Sequence, residues 1–297
     1  MIVSIGEILF DQFPDYRRIG GAPFNFAAHM KGLGFDTAFV SRVGDDVNGS
    51  LLLEEVARRN LDREYIQVDT DHPTGEVLIQ LDQDRNATFN ILENVAYDHI
   101  EMTPSVLSAL DNADFIYFGT LIQRTEHGFS SIQDMLAMKK KNTVGMYDIN
   151  LRPNCYSTRI IQESLKYTDI LKLNIDELKE VGSMLYNNRN EDECVQSLFQ
   201  DYPIRLISLT GGSTGSKMLT PDKEYVAEPD HSIKVVDTVG AGDAYSSIVA
   251  AGFIKGWDPR QILDLATRFS TKVCTIEGAI PDDPSFYSEF RELFKES

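Results

Sequence analysis

The sequence predicts an α/β fold, with a mostly parallel central sheet covered by helices on both faces. Short, mostly apolar runs bounded by turn residues recur at 2–5, 38–43, 115–118, 144–149, 170–173 and 205–209. That is the pattern of buried parallel strands. Amphipathic stretches lie between them, at 49–59, 128–141, 175–185 and 241–255. Strand alternating with helix implies crossover connections and a three-layer arrangement. A third observation adds an appendage. Residues 75–92, GEVLIQLDQDRNATFNIL, alternate more strictly around an Asp-Gln-Asp-Arg-Asn turn, as a hairpin with one wet face would. Neither a repeat nor a Pro/Ser-rich linker divides the chain, so one domain over 1–297 is expected, with a small β lid from about 10–19 and 75–98.

Composition narrows the function. A chain of 297 residues with 42% hydrophobic content can bury a large core. A formal net charge of −18 argues against nucleic acid or an anionic membrane as partner. A nucleotide substrate would need local dipoles and a divalent metal to override that field. Cys155, Cys194 and Cys274 form no CxxC pair, which fits a reducing, cytoplasmic setting. The N-terminal MIVSIGEILFDQF lacks a basic leader and reads as a first strand. No apolar run approaches the roughly eighteen residues of a membrane span. The five histidines are scattered along the chain, none with a partner at metal-ligand spacing, and are expected to be structural.

Ligands of open parallel sheets bind beyond the carboxyl ends of the strands. The stretch VVDTVGAGDAYSSIVAAGFIKG at 235–256 is the most informative of these ends. Val235 and Val236 read as the close of a strand. Gly240, Ala241 and Gly242 make a loop with little side chain, and a helix opens near Ala241. Its unpaired first-turn amides and dipole suit an anion, here a transferring phosphoryl group. Asp243 lies in the same turn, where its charge is favoured, and is expected to stay ionised and take a proton from an attacking hydroxyl. Read alone, the stretch is equally a glycine turn before a helix-starting aspartate. Tyr245 excludes a dinucleotide fingerprint, and the order Gly211-Gly212-Ser213-Thr214-Gly215-Ser216-Lys217 excludes a Walker loop.

DTVGAGD resembles the C-terminal signature of the ribokinase-like (PfkB) carbohydrate kinases. GGAPFNFAAHMKGLG at 20–34 with FVSRVGDDVNG at 39–49 resembles the N-terminal one, and KLNIDE at 172–177 and GAIP at 278–281 fit in family order. The resemblance implies an ATP-dependent sugar kinase. Asp243 would be the base, with Gly240, Ala241 and Gly242 as the anion hole. Asp11, Gly21 and Asn25 would bind sugar, although locally Asp11 reads as a turn acid and Asn25 as a helix cap. Asn174 and Glu177 would organise Mg²⁺ through water, and equally spell a capping box. Thr210 and Gly212 would approach the nucleotide. Asn150 and Arg152 belong to a DxNxR pattern seen in fructokinase-like and ketodeoxygluconate-kinase-like members. Asp237 would help hold a monovalent cation such as K⁺, or only shape its turn.

Within the family, GE–Asp11, GGAP, DxNxR and GAIP look fructokinase-like. One departure stands in the lid, where Glu93 takes the place of an arginine common in such members. Neutral sugars are thereby favoured, fructose first. Ribokinase, ketodeoxygluconate kinase and nucleoside kinase are the alternatives, and a non-catalytic sugar sensor is a remote one that the presence of Asp243 disfavours. An exposed apolar lid face at Val77, Ile79 and Leu81 would permit a homodimer.

Overall fold

The computed structural model describes residues 1–81, 87–187, 190–228 and 233–295. Its strands are β1 (Ile2–Ile5), β2 (Leu9–Gln12), β3 (Arg17–Gly20), β4 (Thr37–Gly44), β5 (Ile66–Asp69), β6 (Glu76–Leu81), β7 (Ala87–Ile91), β8 (Phe115–Gly119), β9 (Val144–Asp148), β10 (Ile170–Asn174), β11 (Leu206–Thr210), β12 (Ser216–Leu219) and β13 (Glu224–Ala227). The helices are α1 (Ala22–Gly32), α2 (Val47–Arg58), α3 (Pro104–Asp111), α4 (Glu126–Ala137), α5 (Thr158–Leu165), α6 (Ile175–Tyr186), α7 (Glu191–Asp201), α8 (Ala241–Ile254), α9 (Pro259–Val273) and α10 (Ser288–Lys295).

Nine strands form one sheet in the order β13-β12-β11-β10-β9-β8-β1-β4-β5. All pairs from β11 to β5 are parallel, and β12 and β13 add an antiparallel hairpin at one edge. The apolar runs become these strands because both faces are covered. Ile116 and Phe118 pack with α4, α5 and α6 residues such as Ile132, Ile161 and Leu178 on one face. Phe115 and Tyr117 pack with α1, α8 and α9 residues such as Phe26, Ile248 and Phe269 on the other.

A second sheet, β3-β2-β6-β7, stands apart. Its outer hairpin is the one expected at 75–92, although the Asp-Gln-Asp-Arg-Asn turn lies outside the described residues. The face carrying Val77 and Ile79 is not exposed. These residues are 6% and 4% accessible and belong to the main core with Leu9 and Tyr97. Alternation divides a strand's side chains between two faces without saying which face is covered. The basis expected for a homodimer through Val77 and Ile79 is therefore lost, and the side chain of Leu81 lies outside the described residues. Val235 and Val236 also depart from expectation. They lie in no strand and are 53% and 58% exposed. The Val236 N–H instead donates to the Cys274 carbonyl at 2.8 Å.

The carboxyl ends of the parallel strands line up. Gly119 pairs with Asp148, Asp148 with Lys172, and Asn174 with Thr210. This edge, facing the start of α8 and the second sheet, carries the candidate site.

Candidate active site

Two helix starts meet here. Gly240 caps α8 in the left-handed conformation, φ 74°, with no side chain capping the first turn. A Cβ on Gly240 would lie 2.2 Å from that of Ala279. Glycine is thus required twice over, by conformation and by the C-terminal segment beneath the loop. Gly21 opens α1 at φ 114°, and a Cβ there would fall 2.3 Å from the Glu7 carbonyl. These two positions bring α1 and α8 together so that Asn25 Nδ2 donates to Asp243 Oδ2 at 2.7 Å. The base and the amide expected at the sugar are direct neighbours, 218 residues apart in sequence.

Asp243 is 9% exposed. Burial pushes its carboxyl up to about 7, the negative charge of Asp148 adds to the shift, and Asn25, Lys172 and Arg152 oppose it. Desolvation thus works against the ionised form that the helix start favours. A base poised near neutrality combines availability with driving force for proton transfer. Glu7, 5% exposed, is likewise pushed by burial to about 7, against the pull of its own backbone and Arg152. Its Oε2 and the Oδ1 of Asn25 are buried without a hydrogen-bond partner among the described residues. Two orphaned acceptors beside a base are costly unless a ligand donates to them.

Asp11 faces the same space from β2. A Cβ on Gly20 would lie 2.5 Å from its Oδ2, so the glycine makes room for the carboxylate. Burial raises its carboxyl, while Arg152 and Arg18 pull the other way. Arg152 is exposed and, among the described residues, donates only to the neighbouring Leu151 carbonyl at 3.3 Å. Asn150 has φ 40° and turns the chain between β9 and Arg152. Glu93 is exposed.

On the other side of Asp243 lies a buried charge network that sequence reasoning missed. Lys172 Nζ donates to Asp148 Oδ1 at 3.0 Å. Asp148 Oδ2 accepts from Tyr117 at 3.0 Å and Ser246 at 2.9 Å. Lys172 Nζ sits under the loop, 3.4 Å from where a Cβ of residue 242 would be. The signal was present: a lysine in the middle of the apolar run 170–173 needs a buried partner.

Asn174 and Glu177 realise the capping box. Glu177 N–H donates to Asn174 Oδ1, and Asn174 N–H to Glu177 Oε2, both at 2.8 Å. Glu177 Oε1 also accepts from Leu151 N–H at 2.9 Å. Burial raises the Glu177 carboxyl, opposed chiefly by Lys172. Each oxygen retains a lone pair, so the pair fits a metal reached through water. Among the described residues no cluster of three or more His, Cys, Asp or Glu forms a direct cage. Mg²⁺ in such sites is largely carried by phosphates and water. Thr210 pairs with Asn174 at the end of β11, and Gly212 opens the turn that follows.

Asp237, expected beside a monovalent cation, has a guanidinium of the chain itself against it. Its Oδ1 accepts from Val239 N–H at 3.1 Å, and its Oδ2 from Gly278 N–H at 3.1 Å and from Arg18 Nη1 at 2.5 Å. A guanidinium already covers the carboxylate. The histidines are less scattered than expected. His72 and His99 stack at 3.6 Å, with His127 5.4 Å from His99.

The pfkB family carbohydrate kinase pattern matches residues 15–285. The chain belongs to the pfkB family of carbohydrate kinases. This kinase is 28% identical over 311 residues to fructokinase-2 of Oryza sativa subsp. japonica, covering 96% of this chain and 91% of the relative. The crystal structure of an uncharacterized sugar kinase from Pyrococcus horikoshii superimposes with TM-score 0.81 at 25% identity, over 99% of each chain. A Vibrio cholerae fructokinase double mutant, solved with fructose, ADP and potassium ion bound, matches with TM-score 0.78 at 21% identity over 97% of each chain. That last likeness concerns the fold alone. The protein is an ATP-dependent phosphotransferase of carbohydrate substrates, and no helix among its described residues is long and apolar enough to cross a membrane.

Proposed function

We propose that this kinase transfers the γ-phosphoryl group of ATP to a primary hydroxyl of a neutral sugar, with fructose the first choice. The observation that carries the reading is the Asn25–Asp243 hydrogen bond, which joins the sugar-side helix to the anion loop. The acceptor hydroxyl lies against Asp243, which takes its proton. First-turn amides of 240–243 face the charge that develops on the transferring group. Asp11, Asn25 and the main chain at Gly21 orient the sugar, and Arg152 and Asn150 border it from the β9 end.

Asn174 and Glu177 would hold Mg²⁺ through water, and the metal would neutralise phosphate charge when bound. Thr210 and Gly212 flank the nucleotide. The exposed Val235, Val236 and Val239 beside the anion loop offer an apolar surface to the adenine ring. The second sheet acts as a lid that excludes water. A reducing cytoplasmic setting suits ATP and free sugar as substrates.

Fructose rests on the GGAP and DxNxR motifs and on Glu93 in the lid. An ADP-release screen over fructose, ribose, ketodeoxygluconate, glucose and adenosine tests it. Highest kcat/KM with fructose is expected. Preference for ketodeoxygluconate would transfer the weight from Glu93 to the cation of Arg152, and preference for ribose or adenosine would leave the kinase assignment with another acceptor.

A further inference from the structure

We infer that Arg18 is a built-in counter-cation for Asp237, so that this kinase shapes its anion loop without a monovalent metal ion. The inference rests on the reading that the 237–243 segment handles the phosphoryl group. Arg18 lies on β3 of the second sheet, and its guanidinium reaches across 219 residues of sequence to Asp237 Oδ2 at 2.5 Å. Its other nitrogen donates to Glu277 Oε1 at 2.8 Å. Glu277 is 79% exposed, so that pair contributes little, whereas Asp237 is 16% exposed and its pair is shielded.

The guanidinium is also held in place from its own side. It lies 5.1 Å from the centre of the Tyr16 ring and 5.9 Å from that of Phe13. Those two rings stack at 4.4 Å. A cation over aromatic faces is partly pre-positioned before it meets its carboxylate.

Asp237 in turn organises both segments that support the anion loop. It accepts from Val239, two residues on, and from Gly278 in the C-terminal segment. Next to Gly278, Ala279 packs against Gly240. A carboxylate gathering two backbone N–H groups needs a fixed positive charge close by, or its own field opposes the incoming phosphates. Arg18 supplies that charge from the strand opposite Asp11, since the two residues are register partners in β2 and β3. The charge that shapes the phosphate loop and the carboxylate proposed to bind sugar thus ride on one hairpin.

The test uses the purified full chain exchanged into tetramethylammonium chloride and then titrated with KCl at matched ionic strength. Rates are read with the best acceptor from the screen, and melting temperatures without substrate. Wild type should show the same rate and melting temperature in both salts. Arg18→Gln should lose roughly 10- to 100-fold in kcat, as expected when a catalytic element is displaced by about an ångström. KCl, but not tetramethylammonium, should restore part of that rate and raise that variant's melting temperature. Arg18→Lys should keep most of the activity. Severalfold stimulation of the wild type by KCl would overturn the inference, as would an Arg18→Gln variant with wild-type rates in potassium-free buffer. A slow variant insensitive to KCl in both readouts would also overturn it, returning Arg18 to a purely structural tie. Should no acceptor be phosphorylated, the functional reading fails, while the melting comparison still decides the role of Arg18.

Discussion

The two walls of the cleft are built differently. The strand-end wall holds its charges in buried, multiply bonded positions: Asp148 alone accepts from Lys172, Tyr117 and Ser246, and Glu177 accepts from two backbone N–H groups. The wall formed by β2 and the 150–152 turn leaves its groups loosely held. Among the described residues Arg152 bonds only its neighbour's carbonyl, Asn25 Oδ1 and Glu7 Oε2 have no partner, and Asp11 is half-buried. One wall is organised by folding and the other is left for the ligand to complete. Electrostatic stabilisation of a transferring phosphoryl group benefits from dipoles that need not reorganise, whereas discrimination among sugars comes from polar groups that stay unpaired with the wrong one.

The largest expected effect falls where the walls meet. Asp243→Asn should lower kcat by roughly 10²–10⁴, the usual contribution of a positioned base. Because burial raises this carboxyl to about 7, the folded state favours its neutral form. The site's contribution to stability is therefore full at acidic pH and is lost as pH rises through about 7. The variant should accordingly melt no lower than wild type at pH 5 and higher at pH 8, whereas wild-type kcat/KM should fall as pH drops below about 7. Near-normal turnover in the variant would erase the meeting point of the two walls.

Lys172→Met probes the rigid wall. Removing one member of a buried ion pair typically costs about 3–5 kcal/mol. Denaturant titration should show a loss of that order, and the acid limb of the rate profile should move to higher pH, since Lys172 holds the Asp243 carboxyl down. Unchanged stability would place this network outside the prebuilt wall.

Asp11→Ala probes the adaptable wall. Sugar kcat/KM should drop by roughly 10²-fold, because several kcal/mol of charged hydrogen bonding disappear. The KM for ATP should move far less, and the melting temperature hardly at all. Equal losses for both substrates would dissolve the distinction between the walls.

The smallest effect is expected at Glu177→Gln. Its amide nitrogen would meet a backbone N–H, a mismatch costing about 1–3 kcal/mol, and the Mg²⁺ concentration for half-maximal rate should rise. An unchanged metal titration with lowered stability would leave Glu177 only its capping role, and activity surviving EDTA would remove the metal from the mechanism.

Much of this was legible in the sequence. Apolar periodicity located the sheet, because a strand covered on both faces leaves no polar side. The 240–243 loop was legible because glycine at a left-handed helix start is a local requirement. What escaped depends on partners across the sheet. The apolar run 170–173 shows a lysine but not that Asp148 lies beside it on β9. GE at 6–7 shows an acid but not that folding buries it within the field of Asp243. Asp243 was read from its helix position alone, and the burial that sets its titration comes from elements far away in the chain. Val77 and Ile79 followed the right alternation, but the covered face is chosen by the core they meet.

The contact of Gly240 with Ala279, and the bond from Val236 to Cys274, bear on how the enzyme comes into being. A ribosome delivers the glycine loop well before it delivers the segment that presses it into shape. A chain cut short before residue 274 would keep the motif and lose the segment that packs against it.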